Sequence, residues 1–411
     1  MNRRLIIVEL VAILFAWHVT AAVAAKPGIL KPFADDGIPL DVGRPTGPVS
    51  TMLAVGIQAG ADHIMTDQCL NGGFGWWPHG DCTATYNNIT GPICLGLLSA
   101  YTDTGDVDHL NAALAGGGYD LTSVYGNGEF RFGAFAPYFL WQLSLASGNP
   151  AYSTHAATYF FGELNAGTYG PGNLNTAGWI AAVQAGRTGA WVNLRPWEFH
   201  NLIPAATAIG VAGQDALFLQ GVLDGLNTLD NTAPATVYSD LIGLAGGVRG
   251  LALNGTTSFT AISSPNHAGI NGISTLQGLA DMLASYQNPD GSWYWHSNLV
   301  GPTASDEDTQ TTAYAVLALV AADPLVASDY SAAVQNARFW LFSMQLASGG
   351  FLSYPGGDQN TEVEGEALSA VSASGGVAVP TVSEWGLIAL TMIGVAAGAL
   401  LFWRKRSSLQ S

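Results

Sequence analysis

A small residue followed by an aromatic recurs along the chain at nearly constant spacing. The copies are Gly72-Gly73-Phe74, Gly128-Glu129-Phe130, Gly189-Ala190-Trp191, Gly291-Ser292-Trp293 and Gly349-Gly350-Phe351. Their aromatic positions are 56, 61, 102 and 58 residues apart. The long interval is close to two short ones, so a degenerate copy is expected near Leu241 to Val248, which makes six units of about 55 residues. A period of this length means stacked copies of one supersecondary unit, each too small to bury its apolar face alone.

The better-preserved units share one internal order: a helix ends, the Gly-aromatic turn follows, then a polar loop, then a helix of small residues. Apolar positions step by three or four through Ile89, Ile93, Leu97 and Tyr101, through Ile273, Leu276, Leu279, Leu283 and Tyr286, and through Val334, Ala337, Leu341 and Met344. The second helix of a unit is expected to begin near Thr83, Thr309 and Thr361. Two helices per unit predict an all-α fold, an (α/α)6-type toroid of helix hairpins over residues 45–373. An open solenoid is the competing architecture, and a set of helices this large favours closure.

The two ends read as targeting segments. Residues 1–25 have Arg3 and Arg4, an apolar run interrupted by Glu9 and His18, and a small-residue stretch Ala21 to Ala25, the layout of a signal peptide. An uncleaved N-terminal anchor is the competing reading, and residues 26–44 form an N-terminal extension. Near the other end, Gly386 to Trp403 carries no charge, and a helix of that length covers roughly 27 Å, enough for a thin bilayer core. Residues 387–403 are expected to span the membrane, with the basic tail 404–411 on the cytoplasmic side. The toroid would then be displayed outside, in the cell envelope or at the cell surface.

The whole chain holds 13 Lys plus Arg against 30 Asp plus Glu. Five of the cations (Arg3, Arg4, Arg404, Lys405 and Arg406) sit in the end segments, so the exported body is strongly acidic. That excludes nucleic acid as a partner and argues against a diphosphate pocket, which needs converging cations. Of three cysteines, Cys69 and Cys82 are placed to form a disulfide in an oxidising envelope, with a free pair as the alternative. Cys94 falls in an apolar stretch and is expected to be a buried thiol.

The segment Gln287-Asn288-Pro289-Asp290-Gly291-Ser292-Trp293 resembles the Q-x-x-x-G-x-W/F repeat of the squalene cyclase and protein prenyltransferase group, as do Gln345 with Gly349-Gly350-Phe351 and the turn at Gly72-Gly73-Phe74. The resemblance is firm over 276–371, fair at 70–105 and faint between, and it implies a toroid with a central cavity. Its motif specifies fold well and activity poorly. In residues 374–386, a linker leads into Val379-Pro380-Thr381-Val382-Ser383-Glu384-Trp385-Gly386, which is similar to bacterial C-terminal sorting signals of the I-P-T-L-x-x-W-G type. Pro380, Thr381, Trp385 and Gly386 carry that match, and Val379 and Val382 depart from it conservatively. It implies a sorting protease or transpeptidase as a partner, besides the membrane.

Several groups bear chemistry. Ser305-Asp306-Glu307-Asp308-Thr309-Gln310 resembles the D-x-D-D-T-A acid motif of squalene–hopene-type cyclases, with Ser305 in place of the first Asp and Glu307 as the central donor. Clustered carboxyls raise one another's pKa. Helix capping by Asp-Thr explains the same residues and is preferred; a ligand or metal role comes second. Cyclase chemistry is disfavoured, because a partner acid is missing and the chain is too short for a second barrel. Glu362, Glu364 and Glu366 hold the equivalent place one unit later. Glu362 and Glu366 share a helix face, which hints at an acid pair or a Ca²⁺ site; an ordinary acidic first turn explains the same residues and is preferred.

His79, Asp81 and Cys82 invite comparison with the prenyltransferase zinc site. Asp81 and Cys82 are adjacent rather than separated by one residue, so Zn²⁺ is not expected there. Trp76, Trp77, Trp293, Tyr294 and Trp295 sit in turns, as the walls of a sugar-binding cleft would, although aromatics at this motif position usually pack locally. Trp197-Glu198-Phe199-His200 is a further acid–base candidate.

The candidate catalytic acids are therefore Glu307, Asp308 and Glu366, and the candidate ligand contacts are Trp76, Trp77, Trp293, Trp295, Asp306 and Glu362. No cofactor is expected. The function favoured by sequence is a surface-displayed binding module for an apolar or glycan ligand, without the family's cyclase or prenyl-transfer activity. A glycan-active hydrolase or lyase and a purely structural surface domain are the alternatives.

Overall fold

A computed structural model describes residues 49–78, 82–122, 135–170, 172–232, 234, 236, 237 and 239–373. The chain divides into two compact units, Met1–Ala373 and Ser374–Ser411, and every described residue belongs to the first. The expected signal peptide, N-terminal extension, sorting motif (Pro380, Thr381, Trp385, Gly386), membrane helix 387–403 and basic tail lie outside the described residues, as do His79, Asp81 and the turn at Gly128 to Phe130. Among the described residues no helix is long and apolar enough to cross a membrane.

The first unit is all-helical among the described residues, with isolated β-bridges only. In chain order the helices are α1 Val49–Thr66, α2 Asn87–Thr104, α3 Val107–Thr122, α4 Ala136–Ser147 and α5 Pro150–Ala156, the last continued by a π-helical turn Ala157–Gly162 and a short α-helical segment Glu163–Ala166. Then come α6 Thr176–Gly186, α7 Arg195–Phe199, α8 Leu202–Ile209, α9 Gln214–Leu226, α10 Asp240–Leu253, α11 Leu276–Ser285, α12 Thr309–Ala322, α13 Ser331–Ser343 and α14 Thr361–Ser372. Helices α2, α4, α7 with α8, α10, α12 and α14 pack side by side as an inner ring. Helix α14 packs on both α12 and α2, so the ring closes. Helices α1, α3, α5, α9, α11 and α13 alternate with them along the chain as the outer layer. Helix α6 is an extra element beside α9. Many starts are marked by side-chain caps, with Asn149, Asn175, Thr275, Asp308 and Asn360 accepting from first-turn amides.

The repeated turn has a physical basis that three copies share. Gln68, Gln287 and Gln345 each donate to the carbonyl of the turn glycine four residues on (Gly72, Gly291, Gly349) and to a carbonyl of the following outer helix (Ala112, Ala333, Gly56). The turn glycines have φ of 86°, 104° and 101°, and a Cβ on them would collide with the carbonyls of Ala115, Asn336 and Ala59. Only glycine meets both demands. The aromatics Phe74, Trp293 and Phe351 are fully buried. Because the following outer helix for Gln345 is α1, the last turn ties the end of the ring to its beginning.

The sequence expectation needs correction at two places. The degenerate copy expected near Leu241 to Val248 is not a turn but the middle of α10. Its glycines are there for close packing: a Cβ on Gly243 would strike the Asn193 carbonyl, and one on Gly246 would lie 2.6 Å from Trp197 Cα. Second, α2 starts at Asn87 rather than near Thr83. The Cys69–Cys82 disulfide and the Tyr86 amide bond to the Phe74 carbonyl hold the preceding residues along the turn. Cys94 is a buried free thiol.

Candidate active site

Every inner helix follows an outer one, so the inner helices run in one direction and their N-termini gather at one mouth of the ring. That end of a helix carries a partial positive charge and unpaired amides. Inside this mouth, helical spacing puts Trp197, His200 and Asn201 on one face of the α7–α8 segment. Facing them are Tyr314 of α12, whose ring meets Trp197 at 5.6 Å and His200 at 6.0 Å edge-on, and Phe135, 4.8 Å from Trp197. Helix α14 contributes Glu362 and Glu366. Tyr314 Oη donates to Glu366 Oε1 at 2.5 Å. Arg187, just past α6, is ion-paired with Glu198.

The electrostatics separate these groups. Burial pushes the Glu362 carboxyl up to about 8, with the Glu198 charge adding and Arg187 opposing. Burial also raises Glu366 well above the ordinary carboxylic range, and Glu362 pushes it further; bonds from Tyr314 and Gln310 oppose the shift. His200 is shifted the other way, held neutral by burial and by nearby Arg249. Its Nδ1 lies 2.5 Å from the Trp197 carbonyl, so that nitrogen carries the proton and Nε2 offers a bare lone pair.

Besides Trp197 Nε1 and Arg187 Nε, three nearly fully buried side chains of this set leave polar atoms unpaired. His200 is 0 % exposed, Asn201 2 % and Glu366 3 %. Nevertheless His200 Nε2, both polar atoms of the Asn201 amide and Glu366 Oε2 have no hydrogen-bond partner among the described residues. An unmade buried hydrogen bond costs about 1–3 kcal/mol. Concentrating several on the inner ring is the pattern expected of groups kept for a ligand.

The structure distributes the sequence candidates unevenly. It brings Glu362 and Glu366 together with the Trp197–His200 segment. Trp76 stands at the same mouth: its carbonyl accepts from the Thr361 amide at the start of α14, and its ring lies 6.1 Å from Tyr86. Trp77 beside it is 40 % exposed. Trp293 is fully buried, with Nε1 donating to the Leu283 carbonyl, so it is core and lines no cleft. Asp306 closes a capping box with Thr303 and accepts from Trp295 Nε1. Asp308 caps α12 through Thr311. Glu307 accepts from Trp340 of the outer helix α13, and burial with neighbouring Asp290 raises its carboxyl.

Sequence reasoning missed Arg187, Arg249 and Tyr314. A signal existed in the scarcity of cations: the described residues hold only Arg187, Arg195, Arg249 and Arg338, and two of these act on the groups of the mouth. Two sets of His and acidic residues among the described residues are close enough to share a cation: Asp62, Asp106 and His109, and His63, Asp67 and Glu364. Glu362 and Glu366 belong to neither. Cys82, being disulfide-bonded, is no thiolate ligand for zinc.

The sequence matches no family model and no curated protein. The fold is similar to that of solved structures. Unsaturated glucuronyl hydrolase from Bacillus sp. GL1, responsible for the degradation of glycosaminoglycan, is 15% identical and superposes with a TM-score of 0.54, covering 78% of this chain and 95% of that one. An unsaturated glucuronyl hydrolase specific for heparin is 12% identical with a TM-score of 0.53, covering 78% and 96%. A type II terpene cyclase from Scytonema reaches a TM-score of 0.47 at 13% identity over 79% and 97%. At these identities the two hydrolases bear on the fold, an α/α toroid, and not on the chemistry.

Proposed function

We propose that the chain is a glycan-active hydrolase working inside the ring, with Glu362 as general acid, Glu366 as its buried partner and Glu198 as the carboxylate that assists water. The observation that carries this reading is the contrast between two neighbouring carboxyls. Glu362 is held near 8, so it keeps a proton at neutral pH, while Glu198 beside it is ion-paired with Arg187. Such a pair suits glycoside hydrolysis. Glu362 gives its proton to the glycosidic oxygen as the C–O bond breaks. Water adds to the sugar carbon and passes a proton to Glu198.

The unpaired atoms of His200, Asn201 and Glu366 offer donors and acceptors to sugar hydroxyls, and Trp76 and Trp77 offer faces for stacking at the mouth. Arg187 and Arg249, in so acidic a chain, together with the inner-helix N-termini, favour a glycan that carries carboxylates. The two toroids of similar fold named above are hydrolases of that general kind, which directs the first assay without deciding it. The binding-module reading explains the unpaired polar atoms but not a carboxyl kept protonated beside an ion-paired one.

The test is incubation of the purified protein with uronate-containing and neutral oligosaccharides, followed by chromatography of the products. Turnover is expected with the uronate set. Glu362→Gln and Glu366→Gln should each reduce it by about 10²–10⁴-fold while ligand binding persists. Binding without turnover across the panel would return the ring to a binding module, and unchanged rates in both variants would remove these acids from the mechanism.

A further inference from the structure

Where the last unit meets the first, the repeated turn is built from different chemistry. In the two other copies that share the glutamine bonds the aromatic amide is taken by a threonine hydroxyl three residues into the inner helix: Thr90 for Phe74 and Thr312 for Trp293. At the seam that position is Glu364, whose Oε1 accepts from the Phe351 amide at 3.2 Å. One oxygen thus does what a hydroxyl does elsewhere. The other, Oε2, has no hydrogen-bond partner, although the side chain is 0 % exposed. The outer helix changes in step. Four residues beyond the carbonyl that faces the turn glycine stand Tyr119 and Trp340 in the other copies, reaching Thr85 and Glu307 just before the inner helix. At the seam the same place holds His63, whose Nε2 lies 3.1 Å from Gln359 Nε2. Asp67 follows His63 by one helical turn.

The outcome is an imidazole and two carboxyls buried under the turn. His63 Nε2 is 3.6 Å from Glu364 Oε1 and 3.9 Å from Asp67 Oδ2, and one ligand atom from each falls within 4.8 Å of the others. Ligands about 2.1 Å from a four-coordinate ion stand roughly 3.4 Å apart, so the separations of 3.6 and 3.9 Å from His63 need only a small contraction. Gln359 Nε2 lies 2.7 Å from Glu364 Oε1 and 3.1 Å from His63 Nε2, beside the same set, and rotating that amide by half a turn would present its oxygen instead. Gly350 leaves the room, because a Cβ there would overlap Gln359, His63 and Glu364. The turn itself does not need the charge of Glu364, since threonine serves in the other copies. No Arg or Lys pairs with that carboxyl among the described residues.

We propose that His63, Asp67 and Glu364, with Gln359 as fourth ligand, bind a structural first-row divalent cation of the Zn²⁺ or Mn²⁺ kind. One nitrogen and three oxygens suit those ions better than a softer or a larger one. The ion would clip α1 to α14 and lock the ring at the point where its first and last units meet.

The experiment uses the purified full chain, stripped with chelator and then dialysed against Zn²⁺, Mn²⁺ or Co²⁺. The expected result is one tightly held ion per chain, a raised Tm with the ion, and the visible absorption of a four-coordinate site with Co²⁺. Glu364→Thr restores the hydroxyl used by the other copies, so it should fold and keep the turn while losing the ion. His63→Gln should lose the ion as well. Absence of stoichiometric metal and of any Tm change in the wild-type chain would overturn the proposal, as would undiminished binding by Glu364→Thr. None of these readouts involves Glu362 or turnover, so this proposal and the hydrolase reading fail separately.

Discussion

At the scale of single residues, the ring uses burial to set protonation. Glu362 has a folded-state pKa of about 8, above the ordinary Glu range. Through that window the folded chain holds a proton that the unfolded chain has released. Stability from this group is therefore fully present at low pH and is lost as pH rises toward 8, after which the effect levels off. Glu362→Gln removes the dependence, so melts taken from about pH 5 to about pH 9 should show the wild-type Tm falling relative to the variant. Parallel curves would mean that Glu362 is not shifted. Under the proposed hydrolysis, turnover should decline on the same alkaline limb, because only the protonated carboxyl can donate. Part of this was readable beforehand: Glu362, Glu366 and the Trp197–His200 segment are candidates in the sequence, although an ordinary acidic first turn is the preferred reading of the two glutamates there. What was not readable is the partner each acid meets: Asp306 closes a capping box, Asp308 caps α12 and Glu307 accepts from Trp340, although the three look equally reactive in one dimension.

At the scale of elements, the Gly-aromatic turns at Gly72, Gly291 and Gly349 each join an outer helix to the next inner one, and each glycine is under two constraints at once. Gly349 has φ of 101° and faces the Ala59 carbonyl with no space for a Cβ. Gly349→Ala should cost at least about 2 kcal/mol by urea denaturation, combining backbone strain with overlap. Gly255 also has positive φ, 69°, but nothing lies within 4 Å of a Cβ there, so Gly255→Ala should cost only about 1 kcal/mol. Equal losses would mean that the close approach, as opposed to the dihedral, contributes nothing. The Gln of the motif could be found from sequence. Its second partner, a carbonyl 44 residues on for Gln68 and 289 residues back for Gln345, could not.

At the scale of the whole unit, closure distinguishes a toroid from an open stack. In a solenoid each repeat meets only its neighbours, and losing a terminal repeat subtracts one increment. Here α14 lies between α12 and α2, and Gln345 bonds Gly56 of α1. A chain ending at Tyr354 would expose the inner faces of both neighbours. We expect it to lose the cooperative thermal transition followed by circular dichroism. A sharp transition at moderately lower Tm would instead show that the units add independently.

The sequence alone determined the class of fold, because a fixed period, helical apolar steps and a glycine-centred turn leave few ways to bury six repeated faces. It also located the acidic segments at the starts of inner helices. It could not tell the glycines of a turn from those of a tight helix crossing, as α10 shows, since both answer a close approach and only the partner differs. Nor could it choose among the acids. Whether a carboxyl caps a helix, faces solvent or sits protonated beside an ion-paired neighbour depends on what other parts of the chain bring to it. For Glu362 these are Arg187 and Glu198; for Glu364 they are His63, Asp67 and Gln359. Tertiary structure decided these environments because burial and charge pairing act through space, and most of these partners lie far apart in the chain.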